Sequence, residues 1–275
     1  MATANPSALV DTAWLADHLD APDIRVVDAT WFLPTMARNA RQEHEAAHIE
    51  GAVFFDIDDV ADETNPLPHM LPNAAKFSSR VRQLGLGDGV RIVVYDNNRF
   101  SASARAWWMF RTFGHDDVVV LDGGLAKWQA EGRPVDDRPV TPRERHFTAR
   151  ENHLLVRDLD QIRANLIGQQ DQVIDTRSAD RFAGSVPEPR PGLKSGHIPR
   201  SQNLPADQVV AADGTLSPPP AIGLDPGQPI VTSCGSGVSA CVVALALHEA
   251  GLTDVAVYDG SWTEWGSRDD TPIER

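Results

Sequence analysis

The chain has 275 residues, 41% of them hydrophobic, enough for two domains with separate cores. Its formal net charge of −14 argues against nucleic acid or an anionic membrane as partner. No apolar run reaches the length of a membrane span, and the stretch Met1 to Ser7 has neither the basic segment nor the apolar core of a signal peptide. The only two cysteines, Cys234 and Cys241, lie too close along the chain to suggest a structural disulfide, and no pair of residues shows zinc-ligand spacing. A reducing, cytoplasmic setting is the expectation, with no metal and no cofactor.

In chain order, the first strand is predicted at Ile24 to Ala29. A loop with Trp31 and Pro34 follows, then a short polar segment and the stretch His48-Ile49-Glu50-Gly51-Ala52-Val53-Phe54-Phe55-Asp56. A loop rich in Asp, Pro and His runs from Asp58 to Pro72, and a helix is predicted from about Ala74 to Leu84. Next come a strand at Arg91 to Tyr95, the loop from Asp96 to Ser101, a helix from Ala104 to Phe113, and a strand at Val118 to Leu121. The last runs into Asp122-Gly123-Gly124-Leu125-Ala126-Lys127-Trp128.

The same order then recurs. Val173-Ile174-Asp175-Thr176 matches Val26 to Ala29, Gly196-His197-Ile198-Pro199 matches the His48 stretch, and Ile230 to Ser233 matches Val93 to Tyr95. Val255-Ala256-Val257-Tyr258-Asp259-Gly260-Ser261-Trp262 matches Val119 to Leu125. A duplicated domain accounts for this register. Strands alternating with helices imply, in each copy, a parallel sheet with helices on both faces, an α/β class. The expected boundaries are 1–134 for the first domain, 135–152 for a proline-rich, charged linker, and 153–275 for the second domain.

The most informative stretch is Ile230-Val231-Thr232-Ser233-Cys234-Gly235-Ser236-Gly237-Val238-Ser239-Ala240. A β-type run stops at a cysteine, two glycines follow within three residues, and the apolar run Cys241 to Leu247 reads as a helix closing at Gly251. The pattern is strand, tight loop, helix. Glycines let successive amides converge on one point at a helix N-terminus, where an anion is favoured. A thiol held there is favoured as the nucleophilic thiolate. Both loops, after Tyr95 and after Ser233, fall at the carboxyl ends of parallel strands, where open α/β sheets bind ligands. The first copy has Asp96 where the second has Cys234, and an aspartate cannot accept a sulfane sulfur, so the first copy is expected to be silent. Cys241 on its apolar helix, the tryptophans Trp107, Trp108, Trp128, Trp262 and Trp265, and the histidines His48 and His197 read as structural, and Asp122 and Asp259 as turn residues before glycine.

The paired His-Ile segments, the Asp-Gly segments before Trp128 and Trp262, and the cysteine loop together resemble the tandem rhodanese-domain sulfurtransferases over nearly the whole chain. Within that family the loop Cys234-Gly235-Ser236-Gly237-Val238-Ser239 is similar to the 3-mercaptopyruvate branch, since the thiosulfate branch usually carries basic residues after the cysteine. The family more often has threonine at position 239, and Ser239 keeps the hydroxyl. The resemblance implies two substrate arginines, Arg181 in Asp180-Arg181-Phe182 and Arg190 in Glu188-Pro189-Arg190, holding the donor's carboxylate and keto oxygen. A guanidinium fork suits that task. It also implies a proposed relay of Ser236, His69 and Asp58 for the substrate thiol, which requires a cleft between the two domains. The expected reaction moves sulfur from 3-mercaptopyruvate to a Cys234 persulfide, releases pyruvate, and passes the sulfur to cyanide, a small thiol or a thioredoxin-like dithiol protein.

Three other functions fit the residues less well. A thiosulfate sulfurtransferase would want positive charge after Cys234, where Gly235 and Ser236 stand. A cysteine phosphatase needs an arginine six residues after the cysteine, where Ala240 stands. A non-catalytic persulfide carrier would have no use for two aligned substrate arginines.

Overall fold

The computed structural model describes residues 7–275. The reading of a missing leader rests largely on residues 1–6, which lie outside the described residues. Two five-stranded sheets are present among the described residues, both parallel throughout. The first contains β1 (Leu9–Val10), β2 (Ile24–Asp28), β3 (Val53–Phe54), β4 (Arg91–Tyr95) and β5 (Val118–Leu121), in the order β1-β5-β4-β2-β3. The second contains β6 (Val156–Arg157), β7 (Gln172–Asp175), β8 (Gln202–Asn203), β9 (Ile230–Ser233) and β10 (Val255–Tyr258), in the order β6-β10-β9-β7-β8. The two orders are the same permutation, so the repeat legible in the residues is a repeat of topology.

In each sheet the strand preceding the candidate loop, β4 or β9, is central. Centrality explains its composition: all four residues of β9 are buried, and only Arg91 of β4 is exposed, because helices cover both faces. The helices of the first copy are α1 (Thr12–His18), α2 (Ala40–Ala46), α3 (Ile57–Val60), α4 (Ala74–Gln83), α5 (Ser101–Thr112) and α6 (Gly124–Ala130). Those of the second are α7 (Leu159–Gly168), α8 (Ala179–Phe182), α9 (Ser239–Glu249) and α10 (Ser261–Trp265). One core packs Leu15, Ile24, Val26, Ile49, Val93, Tyr95 and Trp128; the other packs Ile162, Ile198, Val231, Tyr258, Trp262 and Trp265.

The chain forms two compact units that trade a short segment each. The first comprises 1–61, 72–152 and 211–216; the second comprises 62–71, 153–210 and 217–275. The exchanged pieces are held alike. Within the first unit the Leu216 amide donates to Asp122 Oδ1 at 2.8 Å, and within the second the Leu71 amide donates to Asp259 Oδ2 at 2.7 Å. The aspartates read as turn residues therefore also anchor incoming chain. Residues 135–152 carry no helix or strand and belong to the first unit. The paired His-Ile segments also act alike: His48 exchanges two backbone hydrogen bonds with Asp136, and His197 with Glu274, each an isolated antiparallel bridge that ties down its unit's C-terminal strap.

Candidate active site

Cys234 is the first residue after β9 and is only 2% exposed. Its loop is fastened through the backbone. Ser261, at the start of α10, is fully buried and adopts φ of +50°, a left-handed conformation unusual for a residue with a Cβ. Its hydroxyl accepts from the Cys234 and Gly237 amides, both at 3.1 Å, and donates to the Tyr258 carbonyl at 2.8 Å. It lies 4.0 Å from Cys234 Sγ. The Trp262 and Thr263 amides donate to the carbonyls of Cys234 and Gly235 at 2.9 Å, and Thr263 Oγ1 adds a 2.6 Å bond to Gly235 O. Both carbonyls and two amides of the loop are thus fastened to α10. Gly237 has φ of +77°, the turn that brings the chain into α9. Val238 caps α9, and Ser239 opens it with its hydroxyl 3.4 Å from Thr176 Oγ1. The expected helix began two residues later, at Cys241; the Gly-Val-Ser stretch concealed the first turn. Cys241 is a buried thiol on α9, in no disulfide, whose Sγ donates to Gly237 O at 3.3 Å.

Two guanidiniums stand over this loop. A Cβ placed on Gly235 would lie 3.2 Å from Arg181 Nη2 and 3.8 Å from Arg190 Nη1, so a side chain at 235 would crowd both. Arg181 is held by Glu188, through Nη2 to Oε2 at 2.5 Å and Nε to Oε1 at 3.2 Å. The Glu188 side chain is 1% exposed and is shared with Arg177, whose Nη1 donates to Oε1 at 2.8 Å. Arg177 in turn forks onto Asp175, donates to Gly196 O at 2.7 Å and lies over the Trp262 ring. This buried chain of alternating charge leaves Arg181 with 24% of its side chain exposed and its direction fixed. Arg190 Nη2 donates to Ser236 Oγ at 3.3 Å.

Of the three expected relay members, Ser236 and His69 belong to the second unit, His69 through the exchanged segment 62–71. His69 is 9% exposed and has φ of +61°. Asp58 is an exposed residue of the first unit, where its Oδ2 accepts from Trp31 Nε1 at 2.8 Å. The residues that sequence reasoning missed are Ser261, Thr263, Glu188 and Arg177, which position others.

In the first copy the matching loop carries Asp96 in place of the cysteine. The two oxygens of Asp96 accept from the amides of Asn98 (2.9 Å), Phe100 (3.1 Å), Ala102 (3.1 Å) and Ser103 (2.8 Å). Burial raises the Asp96 carboxyl above its ordinary value, against the opposing pull of those amides. Counted from the cysteine, the same four positions in the second loop are Ser236, Val238, Ala240 and Cys241. Gly124, at φ of +57°, occupies the place of Ser261; a Cβ there would meet Asp96 O at 2.3 Å.

The description "Rhodanese-like domain" fits residues 11–131 and 158–268. The chain is 40% identical over 274 residues to the 3-mercaptopyruvate sulfurtransferase of Homo sapiens, covering 95% of this chain and 92% of that one. It is 41% identical over 273 residues to the 3-mercaptopyruvate sulfurtransferase of Escherichia coli (strain K12), covering 96% and 97%. It is also 41% identical over 275 residues to the thiosulfate sulfurtransferase of Rattus norvegicus, covering 95% and 92%. Among solved structures, the 3-mercaptopyruvate sulfotransferase SseA from Escherichia coli superposes with a TM-score of 0.83 at 37% identity, over 93% of this chain and 99% of that one.

Proposed function

Since the chain belongs to the rhodanese family, with two copies of the domain, we propose that it is a 3-mercaptopyruvate sulfurtransferase working through Cys234 in the second copy. Identity alone does not choose the donor, because relatives named for 3-mercaptopyruvate and for thiosulfate are equally similar. The observation that carries the choice is the pair Arg181 and Arg190 converging on Gly235 beside a cysteine loop with no basic residue of its own. A forked pair of guanidiniums outside the loop suits a donor whose anionic group is a carboxylate distant from its sulfur.

In the first half-reaction the Cys234 thiolate attacks the thiol sulfur of 3-mercaptopyruvate. The C–S bond breaks with its electron pair going to carbon, and the resulting enolate takes up a proton to leave as pyruvate. Arg181 and Arg190 hold the carboxylate and the keto oxygen on which the enolate charge develops. The terminal sulfur, now part of a Cys234 persulfide, stays within the 234–239 loop. In the second half-reaction an acceptor attacks that outer sulfur, and the S–S electron pair returns to Cys234. Cyanide, a small thiol or a thioredoxin-like dithiol protein is the acceptor class, and the cytoplasm the compartment. We assign the substrate thiol's proton to Ser236 and then His69, both of the second unit; the Ser236 hydroxyl already accepts from Arg190, which leaves its proton free to be donated.

Turnover with the two donors is the test. Cys234→Ser abolishes transfer from both, and the wild type prefers 3-mercaptopyruvate over thiosulfate by about tenfold or more in kcat/KM. Retained transfer in Cys234→Ser, or preference for thiosulfate, overturns the reading.

A further inference from the structure

A cavity of about 480 Å³ opens in the first unit at the amino-terminal ends of β2 and β3. The Asp96 loop lies at the other end of the same sheet, after the carboxyl end of β4. Leu19, Ile24, Val26, Val53, Leu84 and Val140 supply an apolar lining. Arg25, Arg143 and Arg145 line it too, against a single acid, Glu50.

These cations are poorly compensated. Arg25 Nη1 donates to the carbonyls of Pro22 and Ile24. Burial, and then the neighbouring Arg145, lower the Arg25 pKa, with Asp23 partly offsetting them. Neither Arg143 nor Arg145 makes a salt bridge among the described residues. The acids nearby are occupied: Glu50 pairs with Arg138 at 2.9 Å and Glu144 with Arg82 at 2.7 Å. In a chain carrying 39 acidic against 25 basic residues, three such guanidiniums on one cavity need a reason.

The arginines are also mounted firmly. The segment carrying Arg143 and Arg145 is pinned by Asp88 N to His146 O at 2.9 Å, Arg145 N to Arg82 O at 3.4 Å and Ser78 Oγ to Phe147 O at 2.9 Å. It lies so close to Gly85 and Gly87 that a Cβ at those positions would come within 2.9 Å of Arg143 O and 2.3 Å of His146 O. Residues 143–147 are therefore seated on the first unit.

We propose that this cavity binds a small organic anion carrying at least two negative charges on an apolar body, with Arg25, Arg143 and Arg145 as the charge-binding groups. A guanidinium set of this kind favours phosphate or paired carboxylates, and the aliphatic wall adds affinity for a ring or chain. The active-site arginines, Arg181 and Arg190, belong to the other unit.

The test is a titration of the full chain with phenyl phosphate, followed by amide NMR and calorimetry at low salt. Saturable shifts are expected at Gly51 and Gly85, with inorganic phosphate binding about fivefold or more weaker because it lacks the apolar body. In R143Q/R145Q, whose side chains make no ion pair that folding needs, affinity for phenyl phosphate falls about tenfold or more while sulfur transfer is unchanged. R25Q provides a second, independent loss. The proposal is overturned if shifts are absent, if they are confined to the Cys234 loop, if R143Q/R145Q binds as tightly as wild type, or if about 150 mM salt erases all binding as for loose surface attraction.

Discussion

Replacing Ser261 by alanine should cost the protein both stability and rate. The hydroxyl satisfies two buried amides, Cys234 N and Gly237 N, and donates to Tyr258 O. Its site is fully buried, and the space vacated by one oxygen is too small for a replacement water. Two orphaned amides at roughly 1–2 kcal/mol each give a loss of about 2–4 kcal/mol. Alanine keeps the cost of the +50° φ, whereas glycine releases it, so Ser261→Gly should be milder by about 1 kcal/mol. The loop bearing the nucleophile loses its fastening in both variants, and a displacement of about 1 Å is enough to lower kcat/KM by up to about 100-fold. Guanidinium unfolding followed by tryptophan fluorescence gives the stability, and pyruvate release from 3-mercaptopyruvate gives the rate. An alanine variant within about 0.5 kcal/mol of wild type, or a glycine variant less stable than the alanine one, would refute the argument.

Glu188→Gln removes the shared counter-charge of Arg177 and Arg181. KM for 3-mercaptopyruvate should rise about tenfold with a smaller change in kcat, and stability should fall by about 2–4 kcal/mol, read from steady-state kinetics and unfolding. Cys234→Asp copies the silent loop; it should fold, match or exceed wild-type stability in denaturant, and transfer no sulfur. Burial raises the Glu264 carboxyl above its ordinary 4.5, and its Oε2 accepts from the Tyr258 hydroxyl at 2.9 Å. A carboxyl raised in the folded state contributes stability that is fully present below 4.5 and is lost as pH climbs through the raised value. Glu264→Gln should flatten that decline between pH 4.5 and neutrality, measured as the unfolding midpoint against pH.

Strands β2, β4, β5, β7, β9 and β10 were legible because buried parallel strands read as unbroken apolar runs. The cysteine loop was legible because glycine spacing is a backbone requirement written in residue identity. Helix α2 was not, since none of its seven residues is buried and no apolar stripe marks it. Strand β1 and helix α1, too short to set up a period, went unread, although Asp11 caps the helix. Helix α7 also went unread, despite its capping box of Asp158 and Gln161. Arg181 and Arg190 came into view only through family likeness. Glu188 and Ser261, which aim and fasten, act through space and left only faint marks: a lone acid between two prolines, and a serine where the first copy has Gly124. The exchange of 62–71 for 211–216 has no local signature at all, because it is a property of contacts and not of runs.

The two loops can be understood as one anion cradle with two contents. An aspartate side chain reaches two atoms beyond Cβ, from carbon to oxygen, and ends in negative charge. A cysteine persulfide also reaches two atoms beyond Cβ, from sulfur to sulfur, and also ends in negative charge. The free thiolate is one atom shorter. The loops also differ: Val238 is right-handed where Phe100 is left-handed, and Cys241 N, the match of the Ser103 amide on Asp96, donates to Val238 O at 3.1 Å. On the proposed function, a Cys234 persulfide matches the length of the Asp96 side chain, and the arginines, outside the loop, stabilise the charge leaving with pyruvate. On that reading duplication separates the roles: the copy with its anion covalently built in is structural, and the copy with the cysteine turns over.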